Sequence, residues 1–241
     1  MKIAIITAMP EETRAVLQSA ERSSRDKISG RSIWHCRIAG HDTVIIESGM
    51  GLLNAGWGAM SVSSERPDLL ISTGFGGAVL PGLAVGDVVA AEQILHLHGH
   101  ELERVEVGIF GLNSVADRLP FKRGGFISCD HILNKKSLAD LLPEGIVNPL
   151  VEMETAAVAR VAASLGIPFL GVRVVSDPWD EELDFTIDEF CDDSMRIRPA
   201  KVLTTILKRP RIIPQLVRLA RNSRIAGRSL AGAMANLLRH I

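Results

Sequence analysis

Acidic side chains follow three apolar segments of this sequence, each at the point where the segment would end as a β-strand. Glu12 follows the first segment, Glu154 lies in the stretch VEME, and Asp177 follows VRVVS. In α/β sheets, ligands bind at the carboxyl ends of the strands. A general acid for a leaving group, a carboxylate that accepts hydrogen bonds from a vicinal diol and a group that positions a nucleophile would serve cleavage of the glycosidic bond of a nucleoside.

Glycines follow two further apolar segments. The stretch GMG occupies residues 49–51 and TGFGG occupies residues 73–77. Glycine-rich loops let backbone N–H groups approach an anion or a sugar. Taken singly, such glycines are explained by tight turns. Carboxylates near the start of a helix are explained by their favourable interaction with the helix dipole. Their joint occurrence at predicted strand ends favours a functional site.

Short apolar runs alternate with helical periodicity over most of the chain. Continuous β-branched runs such as KIAIIT and FLGVRVVS are typical of strands that are covered on both faces. Strands are predicted at 2–7, 43–48, 69–73, 86–95, 126–129 and 169–176, and helices at 10–20, 52–64 and 153–165. This order predicts an α/β fold, a single three-layer domain with a mixed, mostly parallel central sheet flanked by helices.

The end of the chain differs in charge from the rest. The formal net charge is -1, yet residues 194–241 hold eleven Lys or Arg and no Asp or Glu. We predict a catalytic domain over 1–193 and a basic, amphipathic helical extension over 194–241, broken at Pro210 and Pro214. Two alternatives stay open for the extension: packing on the acidic body or another subunit, or peripheral contact with the inner face of a membrane.

Composition narrows the class of protein further. No run approaches the ~20 apolar residues that cross a bilayer, and three widely spaced cysteines form neither a disulfide framework nor a metal knuckle. We therefore expect a cytoplasmic protein with no metal and no cofactor, apart from phosphate as a co-substrate. The absence of Tyr and the aromatic content of 4% argue against base stacking and a nucleic-acid partner.

Six stretches occur in the order seen in the nucleoside phosphorylase superfamily: MKIAIITAMPEE, ESGMG, STGFGGA, PGLAVGDVV, VEMETAAVA and VRVVSD. The first stretch and the last two closely resemble the methylthioadenosine/adenosylhomocysteine nucleosidases. The tail resembles the extension of the hopanoid-associated phosphorylases, family members thought to release adenine from an adenosylated hopanoid lipid. The family is commonly oligomeric, so the resemblance implies a homo-oligomer that binds a small purine nucleoside.

The resemblance also implies roles for individual residues. Asp177 would protonate or hydrogen-bond N7 of the departing purine, with Ser176 orienting it. Glu12 would activate the nucleophilic water. Glu154 would hold the ribose hydroxyls, with Met153 against the face of the sugar. The remaining substrate-binding positions are Thr73, Gly74, Phe75, Ile132 and Leu133. Of these, Ile132 and Leu133 would bracket the base, and Phe75 either forms a wall of the site or lies in the core beneath it.

The resemblance leaves the nucleophile open between water and phosphate. Arg14 lies where the phosphorylases have a phosphate-binding arginine, whereas Ser72 stands where many of them have a second one. Because Arg pairs well with phosphate oxygens, we expect phosphorolysis of an adenine nucleoside with a modified 5′ position, with adenosylated hopanoid as a candidate substrate. The alternatives are hydrolysis of 5′-methylthioadenosine or S-adenosylhomocysteine, and a non-catalytic nucleoside- or lipid-binding protein.

Overall fold

The computed structural model describes residues 1–111, 118–131, 134–181, 190 and 199–241. Its strands are β1 (Lys2–Thr7), β2 (Arg22–Ile28), β3 (Arg31–Ile38), β4 (His41–Glu47), β5 (Leu69–Ala78), β6 (Val88–His98), β7 (Glu101–Arg104), β8 (Lys122–Cys129), β9 (Leu150–Glu152) and β10 (Phe169–Asp177). Its helices are α1 (Pro10–Leu17), α2 (Leu52–Ser61), α3 (Lys135–Ala139), α4 (Thr155–Leu165), α5 (Pro199–Lys208) and α6 (Ile213–His240).

These strands form one mixed sheet in the order β10-β6-β8-β9-β5-β1-β4-β3-β2, with β7 against β6. Strand β10 also pairs with β5, so that β5, β10, β6, β8 and β9 close on themselves. Parallel pairing joins β4, β1, β5 and β10, which brings their carboxyl ends to one edge. The antiparallel β2–β3 hairpin extends the sheet beyond β4 and was not predicted.

Helices cover both faces of the sheet, because alternate residues of a strand point to opposite sides. Ile3 and Ile5 of β1 pack in a cluster that includes residues of α1 and α6. Ala4 and Ile6 pack in a second cluster that includes residues of α2 and α4. The prediction of a three-layer α/β domain with a mixed sheet flanked by helices is confirmed.

Helix α6, the last part of the predicted extension, is packed into the core of the domain. Leu230 and Met234 are 0% and 1% exposed and lie in the same cluster as β1 and α1. Nε of Arg218 donates to Oε1 of Glu181 at 2.5 Å, so a cation of the tail pairs with the acidic body. Pro214 lies in the first turn of α6 and does not break a helix there, since that turn needs no N–H from it.

The predicted boundary at residues 193 and 194 lies outside the described residues, so the division into two parts stays a prediction. No helix in the described ranges combines the length and the hydropathy that a membrane span requires. The buried face of α6 is occupied by the sheet and by α1, and is therefore not free to contact a bilayer.

Leu230→Ala tests the contribution of α6 to stability. Removing this fully buried side chain leaves a cavity between α6 and the sheet, and we expect a loss of about 2–5 kcal/mol in the free energy of unfolding. Val217→Ala is the matched control on the same helix, because Val217 is 64% exposed. Urea unfolding of both variants is the measurement, and equal midpoints would contradict the packing described here.

Candidate active site

Glu12 lies in the first turn of α1, directly after β1, and is buried. Its Oε2 accepts hydrogen bonds from the N–H groups of Ala8 (2.8 Å) and Met9 (2.9 Å), and its Oε1 accepts one from the N–H of Phe75 (2.8 Å). Burial raises the pKa of Glu12, although the charge of Arg173 and these three N–H groups oppose the shift. Backbone N–H groups from the loop after β1 and from the glycine-rich segment at residues 73–77 therefore bind a carboxylate of the protein itself.

Arg173, in the middle of β10, is 2% exposed and gathers three carboxylates around one guanidinium. It donates to Oε2 of Glu152 through Nε (3.2 Å) and Nη2 (2.5 Å), and Nη2 also lies 3.4 Å from Oε2 of Glu154. The sequence analysis assigned no role to Arg173 or Glu152. The available signal was an arginine inside an otherwise apolar buried strand, because a buried charge requires partners.

The carboxylates of this cluster differ in how strongly they hold a proton. Burial favours the protonated form of Glu152, but the charge of Arg173 and the hydrogen bonds from Ser128 and Arg173 outweigh it and lower the pKa. Burial and the neighbouring charge of Glu152 raise the pKa of Glu154 to about 7. Glu154 therefore exchanges a proton near neutral pH, while Glu152 remains the ionised partner of Arg173.

Glu154 stands at the N-terminus of α4 and links that helix to the loop before α2. Its Oε1 accepts a hydrogen bond from the N–H of Gly51 (2.9 Å), and its Oε2 accepts one from the N–H of Met153 (3.3 Å). The GMG stretch predicted from the sequence thus positions a carboxylate at the sheet edge, beside Glu12 and Arg173.

Strand β5 does not end at Thr73, as the sequence predicted, but continues through the glycines to Ala78. A Cβ on Gly74 would lie 2.4 Å from Oε1 of Glu12, and a Cβ on Gly77 would lie 2.2 Å from Oδ2 of Asp177. These two glycines are therefore required by the close approach of two carboxylates. Gly74 and Gly77 are three positions apart in the sequence, which corresponds to about 10 Å along strand β5.

Asp177 ends β10 and is held by two side chains. Oγ of Ser176 donates to Oδ1 at 2.8 Å, and Nζ of Lys135 lies 2.6 Å from Oδ2. Lys135 is itself buried and also donates to the carbonyl oxygen of Pro178 at 2.7 Å. The sequence analysis missed Lys135, because nothing in the local pattern NKKSLA marks this lysine as buried.

The structure does not bring every predicted residue into this arrangement. Oγ1 of Thr73 faces Sδ of Met234 in α6, and the side chain of Phe75 lies in the core, which decides between its two predicted positions. Arg14 points to solvent with 69% of its side chain exposed, and Nη2 donates to Glu11 at 2.8 Å. Ile132 and Leu133 lie outside the described residues, so their predicted contact with a base stays a prediction.

A sequence profile described as "Phosphorylase superfamily" matches residues 2–208. The chain belongs to the phosphorylase superfamily. This match confirms the predicted resemblance to the nucleoside phosphorylase superfamily. It also confirms the prediction that the chain belongs to a family of nucleoside-cleaving enzymes.

Similar proteins agree with this assignment. The 5′-methylthioadenosine/S-adenosylhomocysteine nucleosidase of Exiguobacterium sp. is 29% identical over 236 residues, covering 87% of this chain and 98% of that protein. The protein of the same name from Listeria monocytogenes is 30% identical, covering 79% of this chain and 92% of the relative. The nucleosidase from S. pneumoniae, solved with the transition-state inhibitor MT-ImmA, shares the fold with a TM-score of 0.75 at 23% identity, covering 100% and 99% of the two chains.

The raised pKa of Glu154 makes stability depend on pH. Between about pH 4.5 and about pH 7 the folded protein keeps a proton that the unfolded chain has released, so stability falls as pH rises through this range. Glu154→Gln removes this titration. We therefore expect the free energy of unfolding of the variant, relative to that of the wild type, to be about 1–3 kcal/mol higher at pH 8 than at pH 4.5.

Urea unfolding at both pH values measures this effect, and Glu101→Gln, at an exposed position, is the matched control for loss of one carboxylate. A constant difference in stability between Glu154→Gln and the wild type at the two pH values would contradict a raised pKa.

Proposed function

We propose that this protein hydrolyses the N-glycosidic bond of a 5′-modified adenine nucleoside. This is the activity that the name of its relatives, 5′-methylthioadenosine/S-adenosylhomocysteine nucleosidase, describes. The observation that carries the proposal is the buried cluster of Glu12, Glu154 and Arg173 at one end of the site, with Asp177 at the other end, beside a position of β5 three residues beyond the one that adjoins Glu12. That separation suits a nucleoside with its ribose at the cluster and its base at Asp177.

In this mechanism Glu12 acts on the water that attacks C1′ of the ribose. Its carboxylate is fixed by three backbone N–H groups, and its raised pKa strengthens it as a base. As water attacks, the C1′–N9 bond breaks, its electron pair moves into the purine, and Glu12 takes a proton from the water. Glu154 accepts hydrogen bonds from the ribose hydroxyls and so holds C1′ next to this water.

At the other end of the site, Asp177 stabilises the departing base. The purine gains negative charge as the bond to C1′ breaks, and a proton or a hydrogen bond at N7 stabilises it. Ser176 and Lys135 fix the two carboxylate oxygens, so the group is oriented before the substrate binds. A protein that only bound nucleosides would have little need for this acid together with the cluster around Arg173.

We propose water and not phosphate as the nucleophile, because the structure does not place Arg14 where it would bind phosphate in the site. Phosphorolysis was expected from Arg14, which is exposed and paired with Glu11. Arg173, the buried arginine of the site, is already surrounded by carboxylates that would repel a phosphate anion. A hopanoid substrate has no support from the relatives' names, and the packing of α6 removes the apolar tail face that suggested it.

Other expectations stay proposals. Self-association is supported by Leu53 and Met60, apolar side chains of α2 that are 92% and 49% exposed. The cytoplasmic location, the lack of a nucleic-acid partner, and the lack of a cofactor or metal remain predictions from the sequence.

The nucleophile is tested by following adenine release from 5′-methylthioadenosine in phosphate-free buffer and after addition of phosphate. We expect release in both, at the same rate, with free methylthioribose as the product. Arg14→Gln, a surface substitution, should stay within about twofold of the wild type. Adenine release that requires phosphate in the wild type, and that is lost in Arg14→Gln, would overturn hydrolysis in favour of phosphorolysis.

The acid is tested by Asp177→Asn, which keeps the shape of the side chain and removes its proton chemistry. We expect kcat for adenine release to fall by about 10²–10⁴-fold. Asp180→Asn, at an exposed position three residues away, is the matched control and should keep wild-type turnover. Near-normal kcat for Asp177→Asn, with a folded protein by circular dichroism, would remove Asp177 from the mechanism.

A further inference from the structure

A lysine is buried next to the carboxylate that is proposed to act on the base. Lys135 begins helix α3, directly after the N-cap residue Asn134, and only 8% of its side chain is exposed. Burial removes the hydration of an ammonium group, and the first turn of a helix offers it N–H donors and no free carbonyl oxygen. A lysine in this position therefore requires partners from other parts of the chain.

The partners of Lys135 all come from the end of β10. Nζ lies 2.6 Å from Oδ2 of Asp177 and donates to the carbonyl oxygens of Pro178 at 2.7 Å and of Asp177 at 3.5 Å. An ammonium group has three N–H donors, and these three oxygens match them. Lys135 therefore has no donor left for an anion of the substrate, and its chemistry is directed at Asp177.

Strand β5 makes room for both members of this pair. A Cβ on Gly77 would lie 2.2 Å from Oδ2 of Asp177 and 3.2 Å from Cε of Lys135. Gly77 lies in a strand that is buried along its whole length. The space for the lysine is therefore fixed by the sheet, as is the space for the carboxylate.

The two members of the pair differ in their access to a substrate. The side chain of Asp177 is 28% exposed, whereas that of Lys135 is 8% exposed. A bound base can therefore reach the carboxylate, and the ammonium group can act on the base only through that carboxylate.

Asp177 by itself lacks the proton that a departing base needs. Its Oδ2 faces the ammonium group of Lys135, and its Oδ1 accepts a hydrogen bond from Oγ of Ser176 at 2.8 Å. A carboxyl group with a donor on each oxygen and a cation beside it is held in the ionised form, which only accepts hydrogen bonds. The ammonium group that lies 2.6 Å from Oδ2 does carry a proton that it can give up.

We propose that Lys135 supplies the proton that the departing purine takes up at N7, and that it does so through the carboxylate of Asp177. This inference rests on the proposed function and adds a residue to the mechanism of the same site. Binding of the purine covers the exposed part of Asp177 and excludes water from it. Loss of hydration disfavours both charges of the pair, and transfer of one proton from Nζ to the carboxylate removes both.

The step balances in protons and charge. As the C1′–N9 bond breaks, its electron pair moves into the purine, and the proton passes from Nζ to the carboxylate of Asp177 and on to N7. Asp177 is again ionised, and Lys135 is left as a neutral amine. Glu12 holds the proton taken from water. After the products leave, exchange with solvent removes one proton from Glu12 and returns one to Lys135.

Lys135→Met tests the proposal, because methionine keeps an unbranched apolar chain and lacks the ammonium group. We expect kcat for adenine release from 5′-methylthioadenosine at pH 8 to fall by about 10²-fold, the lower range for loss of general acid catalysis. The matched control is Lys136→Met, which changes the exposed neighbouring lysine and should stay within about twofold of the wild type.

A second substrate shows whether the site of each variant is intact. In 4-nitrophenyl 5-deoxy-5-methylthio-β-D-ribofuranoside the leaving group is a stable anion that departs without a proton. General acid catalysis has little to add for such a leaving group. We therefore expect Lys135→Met to cleave this compound at the rate of the wild type. Loss of this activity in both Lys135→Met and Lys135→Gln would assign Lys135 a structural role and overturn the proposal.

The dependence on pH separates supply of a proton from orientation of Asp177. If Lys135 supplies the proton, Lys135→Met must take it from solvent through Asp177, so kcat of the variant divided by kcat of the wild type should rise from pH 8 to pH 5. If Asp177 is its own proton source, removal of the cation favours its protonated form, and this ratio should stay constant or fall as pH falls. Titration of Glu12 and Glu154 occurs in both proteins and cancels in the ratio.

A double variant tests whether Lys135 acts through Asp177. In the Asp177→Asn background, Lys135→Met should cause no further loss of kcat, because the path to N7 is already broken. Additive losses, or a ratio that does not rise as pH falls, would overturn the role of Lys135 while leaving hydrolysis intact. Absence of adenine release by the wild type would instead overturn the proposed function and this inference with it.

Discussion

The buried guanidinium of Arg173 is the interaction on which the rest of the site depends. Three carboxylates, those of Glu12, Glu152 and Glu154, lie around it, and all three residues are buried. Without the cation, their mutual repulsion and loss of hydration would drive each of them to the neutral form. With it, Glu152 stays ionised, and the other two carboxylates keep raised pKa values suited to proton exchange. One buried charge thus sets the chemistry of the whole cluster.

Space around the carboxylates is the second constraint, and β5 provides it. A side chain at Gly74 would displace Glu12, and one at Gly77 would displace Asp177. These glycines lie in a continuous, fully buried strand and not in a loop. Flexibility is therefore not their role. A rigid strand with two missing side chains fixes the distance between the two ends of the site, which a mobile loop could not do.

Sequence patterns predicted the layered fold and the two ends of the site because both depend on local features: buried β-branched runs and carboxylates at strand ends. They did not predict the β2–β3 hairpin, since β2 is exposed along its whole length and carries no apolar alternation. They also missed Arg173 and Lys135, and they assigned no role to Glu152. Each acts through a partner distant in sequence, such as Lys135 with Asp177, and local patterns carry no information on such pairs.

The basic tail illustrates how a sequence feature changes meaning once the fold is known. Apolar and basic faces on a terminal helix suggested a membrane contact, but the apolar face of α6 is used by the core. Met234 lies against Thr73, the residue that precedes Gly74 in β5. The tail therefore supports, from the opposite face of the sheet, the strand that holds Glu12 in place. Because burying the carboxylate cluster is unfavourable, apolar packing of this kind must offset its cost, and α6 supplies part of that packing directly behind the site.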